Sequence, residues 1–308
     1  MSAPPPLKTL QPSLIATLAT NKAIDDVKTL FFSLAAFNPQ PPTVYLYCDT
    51  ELAAKVAEFK YPGKVVVEVA LDKYVGLDRH TMERRRGAVY DSLWFDFMAE
   101  KIALMEWVFA AEATATGILF CDADICFFGP LPQIPCSAVV GLSHHMIRPF
   151  DEAKYGRYNG GFLWMRDREY LDTWRTACKG SRFYEQSALE DVATAVRNSA
   201  GGPAALYEFP KSQNYGWWRL WQSEAGEEEA KREWTMNRHK APNSSGIFVK
   251  GEPLGSVHTH FFDKKDRATV LFNHWVIQWL MRLSGSHPPA RRLLKWLSAT
   301  AESLVSQN

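Results

Sequence analysis

Gly117-Ile118-Leu119-Phe120-Cys121-Asp122-Ala123-Asp124-Ile125-Cys126-Phe127-Phe128-Gly129 is an apolar run broken by two carboxylates one residue apart. If the residues before Asp122 bury as a strand, Asp122 and Asp124 stand at its end. Paired carboxylates there lose hydration and repel one another, so the pattern asks for a neutralising cation, and a divalent metal is the usual answer. Asp122 and Asp124 are therefore the first candidate metal ligands.

Upstream, Asp91 to Ala113 places Met98, Ile102, Met105 and Phe109 at i, i+4, i+7 and i+11, one face of a helix feeding that strand. Before it, Ser13 to Thr20, Thr43 to Tyr47 and Val65 to Leu71 read as strands. Asp25 to Phe37 and Glu51 to Phe59 read as helices between them. This alternation predicts an α/β fold with a mostly parallel, Rossmann-like central sheet covered by helices on both faces. Ligands of such sheets bind at the carboxyl ends of strands, where the two aspartates fall.

Downstream, Tyr158-Asn159-Gly160-Gly161-Phe162-Leu163-Trp164-Met165 reads as a turn feeding a strand, with helices around Tyr170 to Cys178 and Ser187 to Val196. Residues 201–260, with a charged insertion at Glu224 to Glu233, read as loops and short strands. The organisation expected is an extension over 1–12 and one domain over 13–285. Its halves are 13–130 and 131–285, and an amphipathic helix over 286–308 follows. No internal repeat or interdomain linker interrupts this plan.

The 308 residues are 46% hydrophobic and 13% aromatic, enough for a substantial core. Lys and Arg total 35 against 34 Asp and Glu, so no global field favours nucleic acid, and none is expected as a partner. The five cysteines form no CxxC pair, which fits reduced thiols and a cytoplasmic location. No stretch reaches the roughly 18 apolar residues of a membrane helix. The tail from Pro288 to Leu304 sets Arg291, Arg292, Lys295 and Trp296 among leucines, leaving two readings: peripheral membrane contact or packing on the domain. Oligomeric state is not legible.

The order of FCDADI, YNGGFLWM, YEQSALEDV and HTHFFDK after strand-helix repeats resembles nucleotide-sugar glycosyltransferases of the GT-A fold, of the glycogenin and bacterial galactosyltransferase type, over about residues 13–265. The resemblance implies a Mn2+- or Mg2+-dependent transfer of a sugar from a nucleotide diphosphate donor, a UDP-sugar before a GDP-sugar, to a hydroxyl acceptor such as a glycan, with possible retention of anomeric configuration. It implies that Asp122, Asp124 and His258 hold the metal, with His260 as the second choice for the histidine. Lys264, six residues after His258, would grip the diphosphate, although Lys265-Asp266 stand where the family has Pro-Trp. Asn159, Gly160 and Gly161 would meet the donor sugar, and Thr17, Thr20, Asn21 and Lys101 the nucleotide; Lys101 alone reads equally as a solvated helix position. Glu185 and Gln186 would bind sugar beside the anomeric carbon, and Glu185 or Asp191 would serve as base unless these carboxylates merely cap a helix. Gln213 to Trp221, with three tryptophans, is either an acceptor platform or core, and His144, His145 and Arg148 would rim the cleft.

Two other readings fit the same residues. Asp122 is also placed like the nucleophile of a haloacid-dehalogenase-type phosphatase, although Cys126 stands where that class carries Thr or Val. A non-catalytic nucleotide-sugar-binding protein would use the same metal site.

Overall fold

Along each central strand, alternate side chains enter two different apolar clusters, the signature of a sheet buried on both faces. Ile15, Val44, Leu46, Leu119 and Phe162 belong to one cluster. Leu14, Ala16, Tyr45, Phe120 and Leu163 belong to the other. The protein, a computed structural model, is described over residues 8–237, 239 and 243–305.

The central strands are β1 (Leu14–Ala19), β2 (Thr43–Cys48), β3 (Val65–Val69), β4 (Ile118–Cys121), β6 (Val140–His144), β7 (Tyr158–Met165) and β8 (Leu206–Phe209), with β5 (Ile125–Phe127) outside this sheet. They form a seven-stranded sheet in the order β8-β6-β7-β4-β1-β2-β3. Only β7 runs against the others, pairing antiparallel with both β4 and β6. Helices α1 (Ile24–Phe37) and α2 (Thr50–Val56) pack on the first cluster's side, and α4 (Leu93–Ala111), α5 (Glu169–Cys178) and α6 (Leu189–Arg197) on the second, with α3 (Arg79–Arg84) preceding α4. Helix starts are specified locally: the Asp49 and Ser92 side chains accept from Leu52 N–H and Phe95 N–H, capping α2 and α4.

A second, three-stranded sheet carries the far ligand. β9 (Tyr215–Gly216) pairs parallel with β10 (Ser256–His258), which pairs antiparallel with β5 so that His258 stands opposite Ile125. The chain thus returns from residue 258 to lie beside Asp124.

Two expectations are corrected. Tyr158 to Gly161 is strand, not a turn, and neither glycine adopts positive φ. The charged insertion contains a helix, Glu227–Arg232, supported by Lys231–Glu227 and Arg232–Glu229 pairs one turn apart. Within the supposed N-terminal extension, Thr9–Leu10 pairs with Ile134–Pro135; residues 1–7, and 306–308 of the tail, lie outside the described residues.

The last two helices, α7 (Arg267–Ser284) and α8 (Pro288–Val305), lean on the first apolar cluster. Ala290, Leu293 and Leu297 are buried, and Trp296 stacks on Phe32 with ring centroids 4.4 Å apart. The apolar face of α8 is therefore spent on packing, while Arg291, Arg292 and Lys295 remain exposed. Among the described residues no helix is long and apolar enough to cross a membrane.

Candidate active site

The end of β4 turns immediately: Ile125 N–H donates to the Asp122 carbonyl, and Asp122 N–H donates to the Gly161 carbonyl. This turn aims both carboxylates at His258. Single ligand atoms of Asp122, Asp124 and His258 all lie within 4.8 Å of one another. His258 Nε2 is 3.1 Å from Asp124 Oδ1 and 3.8 Å from Asp122 Oδ2. Two carboxylates and an imidazole form a mixed oxygen and nitrogen donor set that suits Mn2+ and accommodates Mg2+.

The cradle depends on a missing side chain. A Cβ on Gly161 would fall 2.3 Å from Asp122 Oδ2 and 2.4 Å from His258 Cε1. The glycine is required by space, since its backbone is ordinary strand.

Asp124 is flanked on its other side by His260, whose Nε2 lies 3.5 Å from Asp124 Oδ2 and whose Nδ1 lies 2.8 Å from Asp26 Oδ2. Burial works to raise the Asp124 carboxyl, but His258 and His260 outweigh it and hold the group well below the carboxylate range. The same charge on Asp124, against the opposing effect of burial and with help from Asp26, lifts His260 to about 10.

Lys101 lies within the protein, 1% exposed, and is not the solvated helix position its pattern allows. Its ammonium is 2.7 Å from Glu185 Oε1, 3.1 Å from the Gly160 carbonyl and 3.6 Å from Asp122 Oδ1. Burial tends to lower this lysine, but Asp122 and Glu185 together raise it. It is a fixed counter-charge behind the aspartates.

These aspartates open onto a cleft of about 500 Å3. Thr20, Lys101, Asp122, Asp124, His258 and His260 are among its lining residues. Tyr74, Arg79, Trp94 and Phe97 form a further, aromatic wall, with Arg79 over the Trp94 ring at 5.2 Å. The sequence pattern assigns no role to this wall; the one signal there is the basic and aromatic interleaving from Arg79 to Trp94.

Other expected residues stand elsewhere. Thr17 is fully buried inside β1, and Asn21 is engaged by Asp49 and Lys55 and does not line the cleft. Glu185 is 1% exposed against Lys101, and Asp191 is exposed on α6 away from the cleft, so neither carboxylate presents a base to it. Gln186 accepts from Gly160 N–H at 3.1 Å and donates to the Tyr155 carbonyl at 2.8 Å, bracing β7. Lys264 borders a separate hollow with Phe261, Val270 and Ala301, after a turn in which Asp263 N–H donates to the His260 carbonyl. Trp218 is buried edge-on to His258 at 5.1 Å and belongs to the interior, while half-buried Trp221 packs on Phe272.

His145 is buried with Nδ1 donating to the Gly156 carbonyl at 2.7 Å. Burial pushes it down to about 4 from 6.5. Between those values the unfolded chain takes up a proton that the folded chain refuses, so stability falls as pH drops from 6.5 towards 4, by about 3 kcal/mol at the foot of the window. His144, also down at about 4, acts in the same direction. Urea unfolding of His145→Gln at stepped pH should show a flatter decline than the wild type; an identical slope would remove His145 as its source.

No protein-family model and no curated protein matches the sequence. Among solved structures, the galactosyltransferase LgtC in complex with donor and acceptor sugar analogues is similar at 11% identity, covering 93% of this chain and 95% of that one with a TM-score of 0.52. The glycosyltransferase GlyE of Streptococcus pneumoniae, at 10% identity, covers 94% of this chain and 64% of its own with a TM-score of 0.48. Mouse xyloside xylosyltransferase 1, at 13% identity, covers 68% and 89% with a TM-score of 0.40. With its seven-stranded sheet, single reversed strand and LgtC-like course over nearly the whole chain, the protein has the GT-A nucleotide-sugar glycosyltransferase fold.

Proposed function

We propose that the protein is a divalent-metal-dependent glycosyltransferase that moves a sugar from a nucleotide diphosphate, a UDP-sugar before a GDP-sugar, to a hydroxyl acceptor such as a glycan. The observation that carries this reading is the convergence of Asp122, Asp124 and His258 at the mouth of a cleft large enough for a nucleotide sugar. A Mn2+ or Mg2+ ion held by these three residues would supply Lewis-acid charge to the departing diphosphate.

In this reading Thr20 and the aromatic wall of Tyr74, Trp94 and Phe97 receive the nucleoside, whose flat base presents a face for ring contact. Lys22, Arg79 and His260 border the cleft and are better placed than Lys264 to meet phosphate oxygens. Asn159, Gly160 and Gly161 form the wall for the donor sugar, braced by Gln186, and the buried Lys101–Glu185 pair holds that wall from behind. Retention of configuration, one catalytic unit over 13–285 and a cytoplasmic location belong to the same proposal. Any contact with an anionic membrane surface would use the exposed Arg291, Arg292 and Lys295, since the other face of α8 is covered.

The dehalogenase-type alternative is disfavoured by fold and by Asp122, which faces Lys101 and His258. Thermal shifts with UDP- and GDP-sugars, with and without Mn2+, test the proposal. At a hundredfold excess over Kd a donor should stabilise the protein by about 2.7 kcal/mol, and only with metal. Release of nucleoside diphosphate should follow for the same donor; stabilisation without release indicates a binding protein, and no metal-linked shift with any donor refutes the reading.

A further inference from the structure

Behind the three carboxylate and imidazole groups runs a continuous buried hydrogen-bond chain whose polarity is set at one end by the backbone. Gly161 N–H can only donate, and it meets Asn159 Oδ1 at 3.0 Å. That atom is then the amide carbonyl of Asn159, so the group facing it from Asn214 at 3.0 Å is the Nδ2 donor. Asn214 has only its carbonyl oxygen left for His258 Nδ1, 2.9 Å away. The proton therefore resides on Nδ1.

The remaining bonds run in the same sense. Gly160 N–H donates to Gln186 Oε1, fixing it as an acceptor for Asn159 Nδ2 at 3.4 Å. His145, donating from Nδ1 to the Gly156 carbonyl, accepts at Nε2 from Asn159 Nδ2 at 3.4 Å. Asn214 Nδ2 also donates to Ser143 Oγ at 2.9 Å, an oxygen that Arg219 meets at 3.0 Å. Asn214 itself is fully buried at φ 54°, a left-handed conformation that Asn tolerates better than most residues.

We infer that Asn214 is a positioning residue that holds His258 as its Nδ1–H tautomer, so that the Nε2 lone pair faces Asp122 and Asp124. Through Asn159 it ties this orientation to the glycine strand proposed to receive the donor sugar. The consequence for metal binding rests on the proposed role of His258; the tautomer does not.

Both parts are measurable. In metal-free protein with 15N-labelled histidine, at a pH where the imidazole is neutral and with His258→Gln to identify the signals, wild-type His258 should be the Nδ1–H form. Asn214→Gly, which suits the left-handed backbone, should give a mixture or the Nε2–H form. In calorimetric titration with Mn2+, Asn214→Gly should bind about 10- to 100-fold more weakly. Asn214→Asp keeps an acceptor at Nδ1 but sets an oxygen against Asn159 Oδ1, so it should keep the proton on Nδ1 and weaken Mn2+ binding less than Asn214→Gly. A wild-type Nε2–H signal overturns the inference, as does equal weakening by the two substitutions. If Asn214→Gly does not fold, the wild-type spectrum and the Asp variant decide between the same outcomes. An Nδ1–H wild type that binds no Mn2+ refutes the metal reading while supporting the tautomer.

Discussion

Asp124→Ala should abolish metal-linked stabilisation by the nucleotide sugar and lower donor turnover by about 10^2- to 10^3-fold, the scale expected when one strong electrostatic contact to a developing charge is lost. Asp124 is the point on which His258 and His260 converge, at 3.1 and 3.5 Å, and with Asp122 it supplies the negative charge of the donor set. Its substitution leaves Asp122 and His258, a pair too sparse to hold a dication against water. The fold should survive, because the Asp124 backbone carbonyl still accepts from Thr259 N–H. Mn2+ titration, melting temperature with donor and metal, and nucleoside diphosphate release check this together. Unchanged turnover in a variant that has lost Mn2+ binding would detach the reaction from the metal and sink the proposed mechanism.

Asp124 is legible in the sequence because its cost is local: two carboxylates at the end of an apolar strand demand compensation wherever that strand goes. The sheet is legible for the same reason, since burial along Leu14–Ala19 and Thr43–Cys48 is written in the side chains. The partners that meet only in three dimensions are not. Lys101 reads as one polar position on an apolar helix until Glu185 arrives from 84 residues away. Lys264 has the spacing of a diphosphate ligand, yet spacing does not fix the direction of the backbone after His260. Asn214 sits in a segment dominated by tryptophan, and its role follows only from which atoms face it. Residues 72–98 form a cleft wall through a 3-10 turn at Asp72–Tyr74 and the short helix α3, neither of which has a long periodic pattern.

Gly160 and Gly161 have the look of turn glycines in the sequence but stand in a strand, and their replacement separates two kinds of damage. Because Gly161 is extended without positive φ, alanine is compatible with its backbone and would restrict the unfolded chain, a gain of about 0.4–1 kcal/mol if space allowed. Space does not allow it: the new methyl would overlap Asp122 on one side and His258 on the other, 2.3 and 2.4 Å from their nearest atoms. Both neighbours can swing only by leaving the arrangement proposed to hold metal, so Gly161→Ala should fold but bind Mn2+ at least about 10-fold more weakly, with donor turnover reduced by on the order of 100-fold. Gly160→Ala meets a different obstacle, Glu185 Oε1 at 2.7 Å with Lys101 Nζ 3.5 Å away. Disturbing a buried ion pair costs about 3–5 kcal/mol when a partner is lost outright, so this variant should lose thermal stability before it loses metal affinity. Calorimetric Mn2+ titration and urea unfolding on the two variants should therefore rank them in opposite orders. Wild-type Mn2+ affinity in a folded Gly161→Ala protein would mean that the cradle between Asp122 and His258 is not where the ion sits.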